Sequence, residues 1–300
     1  MMWKKMLVMA VCGILACLFA GCSENKEAKK FTVGFDSSFP PYGYVEKGEF
    51  KGFDLDLARE VAKRNSWEIV LKPINWDAKD MELNSGSIDC IWNGFTINGR
   101  ENSYEWSEPY VDNSQVVLVK KSSGIKNLAG LKGKVVAVQT DTPVQKALSA
   151  KGSREALGKT FKKLIVTPNY NNAVMELEAG SVDAVAMDIG VAQMKAKENK
   201  AFMILSETVI TEKYGIGFKK GNTALRDAVQ NTLKEMVADG TAAKISAKYF
   251  DGRNVLIIKG KTSSAASALK KAPAVAVKAV APIAKAVKKS QKALEKAAGK

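Results

Sequence analysis

The sequence predicts an α/β protein built from two similar lobes that face each other across a ligand cleft. Three observations lead there. From Lys30 onward, short strand-like runs alternate with amphipathic helical runs, the pattern of an α/β sheet whose ligand groups sit at strand C-terminal ends. ELNSGSIDCI at 82–91 recurs as ELEAGSVDAV at 176–185, with Leu83/Leu177, Gly86/Gly180, Ser87/Ser181 and Asp89/Asp183 in register. FTVGFD precedes the first copy and KVVAVQTD, at 134–141, precedes the second. Two halves on one plan, each short for an independent core, are best explained by lobes around a shared cleft. Coincidence is the alternative, because Gly often closes a helix.

The chain starts MMWKKMLVMAVCGILACLFAGC. Lys4 and Lys5 precede an uncharged, largely apolar stretch from Met6 to Ala20, too short for a comfortable spanning helix and suited to a signal h-region. Ala20 and Gly21 stand before Cys22, and polar SENKEAKK follows. This resembles a bacterial lipoprotein signal: residues 1–21 are removed, Cys22 is lipidated, and 22–30 is a linker. Phe19, where Leu is commoner, departs mildly from the pattern. A short uncleaved anchor is the alternative; both readings put the rest of the chain outside the cytoplasmic membrane. With Cys22 lipidated no internal disulfide forms, and Cys90, in the apolar run IDCIW, reads as a small buried hydrophobe.

FTVGF at 31–35 reads as a strand ending at Asp36, followed by the turn-rich SSFPPYG. In FKGFDLDLAREVAKRN, Asp54 is the expected cap of a helix that places Leu57, Ala58, Val61 and Ala62 on one face. WEIVLKPI is the next strand, a helix follows around 79–83, and IDCIW is a buried strand.

Composition excludes several function classes. Histidine is absent, which removes His-ligated metals and His-based triads. There is no Gly-rich phosphate loop, no metal cluster and no general acid/base pair, so neither a cofactor nor catalysis is expected. Of the net charge of +15, +10 lies in residues 259–300, where eleven Lys face the single acid Glu295, and +2 is on Lys4 and Lys5; residues 6–258 carry only +3. Nucleic-acid binding is therefore not expected of the globular part. Residues 255–300 read as an Ala/Lys-rich low-complexity tail with a helix around 284–298, either an inert extension or a cationic arm for anionic envelope polymers or lipid headgroups.

VGFDSSFPPYGY, GFDLDLAREVAK, SGSIDCIWNGFTINGRE, YEWSEPYV, NLAGLKGKVVAVQTDT, AGSVDAVAMD and MVADGTAAKISAKYF together resemble the family 3 extracellular solute-binding proteins, the amino-acid receptors of ABC importers, over about residues 31–254. The resemblance implies the periplasmic-binding-protein-like type II fold. Lobe 1 is then discontinuous, 31–117 plus 208–254, around lobe 2 at 120–204, with hinge crossings at 118–119 and 205–207. It implies a monomer whose partners are a free L-amino acid, permease subunits and, through Cys22, membrane lipid; a sensor without a transport role is the alternative.

A zwitterion presents a carboxylate and an ammonium, so its receptor needs a bidentate cation and a carboxylate. By family position Arg100 is the carboxylate clamp, helped by the Thr96 hydroxyl and the Gly94 backbone; pairing with Glu101 or Glu105 on the surface is its alternative. Asp188, after the strand DAVAM, is the ammonium partner or a helix cap. Thr142 falls where the second lobe usually offers a helix N-terminus to the carboxylate. The usual Gly and two hydroxyl residues are replaced here by Asp141, Thr142 and Pro143; Pro143 donates no N–H, and Asp141 makes a second ammonium-directed contact conceivable. Plain capping is the alternative for both Asp141 and Thr142. Asp36, Phe39 and Trp76 surround the ligand side chain, and an acid with two aromatic faces favours Lys or Arg, while a glutamine amide or cystine also fits. Phe39 and Trp76 as mere packing, and Asn93 as a polar donor or a turn residue, stay open.

Overall fold

The computed structural model describes residues 28–260. The signal segment, Cys22 and the tail from 261, including the helix expected at 284–298, lie outside the described residues. The first half runs β1 (Lys30–Phe35), β2 (Ser38–Phe39), β3 (Gly43–Glu46), β4 (Glu49–Lys51), α1 (Phe53–Arg64), β5 (Glu68–Pro73), α2 (Lys79–Ser85), β6 (Cys90–Thr96), β7 (Glu105–Trp106) and β8 (Val111–Lys120). Then come β9 (Val135–Gln139), α3 (Pro143–Leu148), α4 (Glu155–Gly158), β10 (Lys163–Thr167), α5 (Tyr170–Ala179), β11 (Ala184–Asp188), α6 (Ile189–Glu198), β12 (Phe202–Ile204), β13 (Ile210–Phe218), α7 (Thr223–Ala238) and α8 (Thr241–Tyr249).

One sheet carries both lobes, in the order β10-β9-β11-β8-β13-β6-β1-β5, with β12 on β8 and β7 on β13. Strands β5, β1 and β6 are parallel, as are β10, β9 and β11. Between these sets β8 and β13 pair antiparallel, 111–115 against 210–214. Both parallel sets end near this junction, at Phe35 and Thr96 from one side and Gln139 and Asp188 from the other. The crossing expected at 118–119 falls inside the lobe-two sheet, where Leu118 and Val119 are held on both sides by β11 and β12, whereas 205–207 is the connection between β12 and β13.

The sequence repeat has a structural cause. Helix α2 closes on Gly86 at φ 80° and α5 on Gly180 at φ 84°, left-handed positions that Gly adopts without a Cβ penalty. Asp89 then accepts from the Thr32 backbone N–H at 2.7 Å, and Asp183 from Val135 N–H at 2.8 Å. Each aspartate thus ties the start of one strand (β6, β11) to the start of its parallel neighbour (β1, β9). Helix α1 buries Leu57, Ala58, Val61 and Ala62 as its spacing predicts, each large aliphatic contributing about 1.5–3 kcal/mol.

Two expectations are corrected. Asp54 does not cap α1: Gly52, at φ 147° and packed against the Tyr42 carbonyl, is the N-cap, and Asp54 is buried in the first turn, accepting from Gly94 N–H at 2.6 Å. Packing also continues beyond 254. Leu256 bridges Val111, Ile257 N–H donates to the Tyr110 carbonyl and Ile258 is buried, because this apolar VLII stretch covers the outer edge of β8 before the Lys-rich composition begins.

Candidate functional site

At the junction, Phe39, Trp76, Gly94, Thr96 and Arg100 from one lobe and Gln139, Asp141, Thr142, Pro143 and Asp188 from the other line a single cavity of about 20 Å³. Gly94 and Thr96 end β6, and Gly94 has φ 58°; a Cβ there would meet the Phe39 ring at 2.7 Å, so only glycine lets the aromatic lie over this backbone. Buried Asp54 holds that backbone from below. Burial pushes its carboxyl up to about 7, against the lowering effect of Tyr110, Gly94 N–H and Trp92.

Arg100 is buried, with its guanidinium 5.2 Å from the Phe95 ring, and pairs with neither Glu101 nor Glu105. Its Nη2 donates to the Asp141 carbonyl at 2.5 Å and lies 3.4 Å from the Asp141 carboxylate. Lys79, buried in α2 and 5.3 Å from the Trp76 ring, bonds the same carboxylate, and Lys146 approaches it at 3.0 Å. Burial opposes ionisation of Asp141, but Lys79, Arg100 and Lys146 outweigh it and hold the carboxyl at about 2. The carboxylate conceived as an ammonium contact is thus engaged by three cations. Thr142 both caps α3, accepting from Gln145 N–H at 3.4 Å, and lines the cavity; its hydroxyl donates to the Gln139 carbonyl at 2.8 Å.

Asp36 accepts from Ser38 N–H at 2.8 Å and, across the cleft, from Gln139 Nε2 at 2.7 Å. Burial raises its pKa, and both hydrogen bonds oppose the rise. Phe39 stacks on Tyr170 from the facing lobe at 5.8 Å and 28°, while Trp76 stands edge-on to Phe95. Asn93 is buried against Gly43 rather than lining the cavity.

Asp188 is the most heavily bonded group. Its Oδ1 accepts from Asn113 Nδ2 and Gln115 Nε2, each at 2.8 Å, and from the Tyr214 hydroxyl; its Oδ2 accepts from Tyr170 at 2.8 Å. No side-chain cap bond to α6 forms. The same two amides also donate to buried Glu212, at 2.6 and 2.7 Å. Burial raises both carboxyls; in Asp188 the phenols of Tyr214 and Tyr170 and the Gln115 amide oppose this, whereas Glu212, facing the Asp188 charge, is pushed up to about 8.

Lys79, Gln139 and Glu212 were not picked out from the sequence. Gln139, at the end of the strand KVVAVQ, had a legible signal in its position; Lys79 and Glu212 had none. Among the described residues no group of three or more His, Cys, Asp or Glu could hold a metal ion.

A two-lobed α/β fold with an arginine, a carboxylate and aromatic faces converging on the junction is the architecture of a substrate-binding protein. The chain belongs to the bacterial extracellular solute-binding proteins, family 3, whose model matches residues 31–252. It is 30% identical over 230 residues to the L-cystine-binding protein TcyJ of Escherichia coli (strain K12), covering 75% of this chain and 84% of that one. Among solved structures, a histidine-bound ABC uptake transporter substrate-binding protein from Streptococcus pneumoniae superposes with a TM-score of 0.72 at 29% identity, covering 76% of this chain and 95% of that one. The arginine-, lysine-, histidine-binding protein ArtJ from Geobacillus stearothermophilus gives 0.67 at 35% identity, with 75% and 97% covered. The chain is accordingly an extracytoplasmic amino-acid-binding protein of an ABC importer, with the type II periplasmic-binding-protein-like fold.

Proposed function

We propose that this receptor captures a free L-amino acid with a cationic side chain, arginine or lysine ahead of glutamine and cystine, and closes its lobes over it. The observation that carries the reading is the convergence of Arg100 from one lobe and Asp188 from the other on one cavity that the Phe39 and Trp76 rings also line; Asp36 is not among the lining residues and touches the cavity through its bond to Gln139. Arg100 takes the α-carboxylate with Thr96, Gly94 and Thr142, Asp188 takes the α-ammonium, and Asp36 takes the distal charge. Asp141 is already engaged by Lys79, Arg100 and Lys146, which leaves Asp36 and Asp188 as the junction acids for the positive groups of a ligand. Entry of an amino acid between the lobes requires the cross-cleft Arg100–Asp141, Lys79–Asp141 and Asp36–Gln139 contacts to part. The paired passage 111–115/210–214 is the place for that bend. Cys22 is the lipid attachment point in this reading and the receptor acts as a monomer; the basic segment after residue 260 is either an inert extension or a cationic arm for anionic envelope polymers or lipid headgroups.

A thermal-shift screen against all amino acids and cystine tests this. At a hundredfold excess over Kd the ligand adds about 2.7 kcal/mol of stability, a rise of several degrees, and no shift with any of them would sink the receptor reading. Asp36→Asn should then erode the cationic preference, because a buried guanidinium or ammonium loses its counter-charge whereas an amide keeps a hydrogen-bond partner. Competition between arginine and glutamine in wild type and variant reads this out; an unchanged preference assigns the distal charge elsewhere.

A further inference from the structure

We propose that Glu212 is a working part of the binding site, the proton-holding partner of Asp188, and that the ligand's ammonium expels this proton so that amino-acid capture is coupled to proton release. The inference rests on the proposed role of Asp188. Its basis is geometric. Asn113 and Gln115, two residues apart on β8, point the same way, and each shares its NH₂ between Asp188 Oδ1 and Glu212 Oε1 at 2.6–2.8 Å. Two carboxyls held on one pair of amides cannot both stay ionised when buried, as like charges at close range raise the first pKa of the pair. Among the described residues no cation pairs with either carboxyl: the groups around the pair are the amides on β8, the hydroxyls of Tyr170 on α5 and Tyr214 on β13, and Tyr42 beside Gly190 at the start of α6. Further out, Asp112 on β8, Lys213 on β13 and Lys146 and Lys151 on the segment after β9 edge the same region.

The placement also supplies a route. Asp188 lines the ligand cavity, and Glu212 lines two neighbouring grooves at the junction, of about 380 and 730 Å³, the larger of which shares Pro143 with the cavity. A charge entering the cavity beside Asp188 can therefore drive a proton from Glu212 into a solvent-open groove. Asn113, Gln115 and Glu212 all lie on or beside the two strands that link the lobes, so the exchange occurs where a closing motion would bend the chain. The balance is simple: one O–H of the pair is lost, the proton goes to water, and the ammonium becomes the counter-ion of the resulting carboxylates.

The test has a ligand-free arm and a ligand arm. The infrared difference spectrum of the ligand-free wild type minus Glu212→Gln at pH 7 should show a positive neutral-carboxyl C=O band, the contribution of buried Asp54 being common to both proteins and cancelling; a flat difference in that region overturns the proposal. With L-arginine as probe, calorimetry at pH 7 in two buffers of different ionisation heat should show release of up to about one proton per ligand, reduced in Glu212→Gln. Affinity should correspondingly rise with pH between 6 and 8, by at most about tenfold per unit. Binding of L-arginine with equal heats in both buffers, or with undiminished release in the variant, overturns it. Failure of L-arginine to bind would count against the proposed ligand, while the infrared arm still decides the carboxyl pair. If Glu212→Gln does not fold, the wild-type pH series decides: an affinity flat from pH 6 to 8 refutes the coupling.

Discussion

Arg100→Ala is expected to abolish capture of every amino acid while leaving the fold intact. The guanidinium contributes little to lobe architecture: its bonds run to the Thr96 and Asp141 carbonyls, at 3.4 and 2.5 Å, and both acceptors stand at the cavity edge. Asp141 keeps Lys79 and Lys146 when Arg100 is gone, so the lobes retain a cross-cleft ion pair and can still approach. In the proposed pose the ligand's carboxylate loses the guanidinium as its planar, bidentate partner. Leaving its carboxylate buried without that partner costs on the order of 2–5 kcal/mol, roughly thirtyfold to several thousandfold in Kd. Arg100→Lys should recover part of this through charge alone, since an ammonium cannot form the paired bonds. Calorimetry with the ligand found by thermal screening measures both variants. A loss below tenfold for Arg100→Ala would mean that Lys79, the second buried cation on the same carboxylate, is the clamp.

What could be read in advance divides along local and non-local lines. The repeat was legible because each copy solves one local problem: a helix ends on a left-handed glycine and an aspartate three residues later pins two strands, so Gly86 and Asp89 return as Gly180 and Asp183. The wall of the cavity was legible for a related reason, in that its residues stand at strand ends or helix starts, where an α/β sheet exposes them. Lys79 lay hidden because its partner, Asp141, is in the other lobe, and on its own helix it reads as an ordinary solvated lysine. Glu212 was masked in the same way. It stands between exposed Thr211 and Lys213 in ITEKYG, and only the pairing of β13 with β8 turns it toward Asn113 and Gln115. Asp54 looked like a cap because it is an acid near a helix start; the glycine two residues earlier takes that place, and the acid faces inward to hold Gly94.

Asp188→Asn should cost as much in binding as Arg100→Ala, and its effect should depend on the ligand's amine. The substitution preserves size. Its amide oxygen can still accept from Asn113 and Gln115, and the Tyr170 hydroxyl, now a donor at 2.8 Å, can rotate to accept from the new NH₂. The fold is therefore expected to survive. Capture is not, because a buried ammonium without counter-charge forfeits about 2–5 kcal/mol. Comparing L-arginine with 5-guanidinopentanoate, the same molecule without its α-amine, separates the two effects in a double cycle. Wild type should bind the amine-free analogue far more weakly than L-arginine, and Asp188→Asn should lower the affinity for L-arginine sharply while changing that for the analogue little. Equal losses for both ligands would show that Asp188 serves the cavity as scaffold, through its four donors, and that the ammonium is received by another acid at the junction.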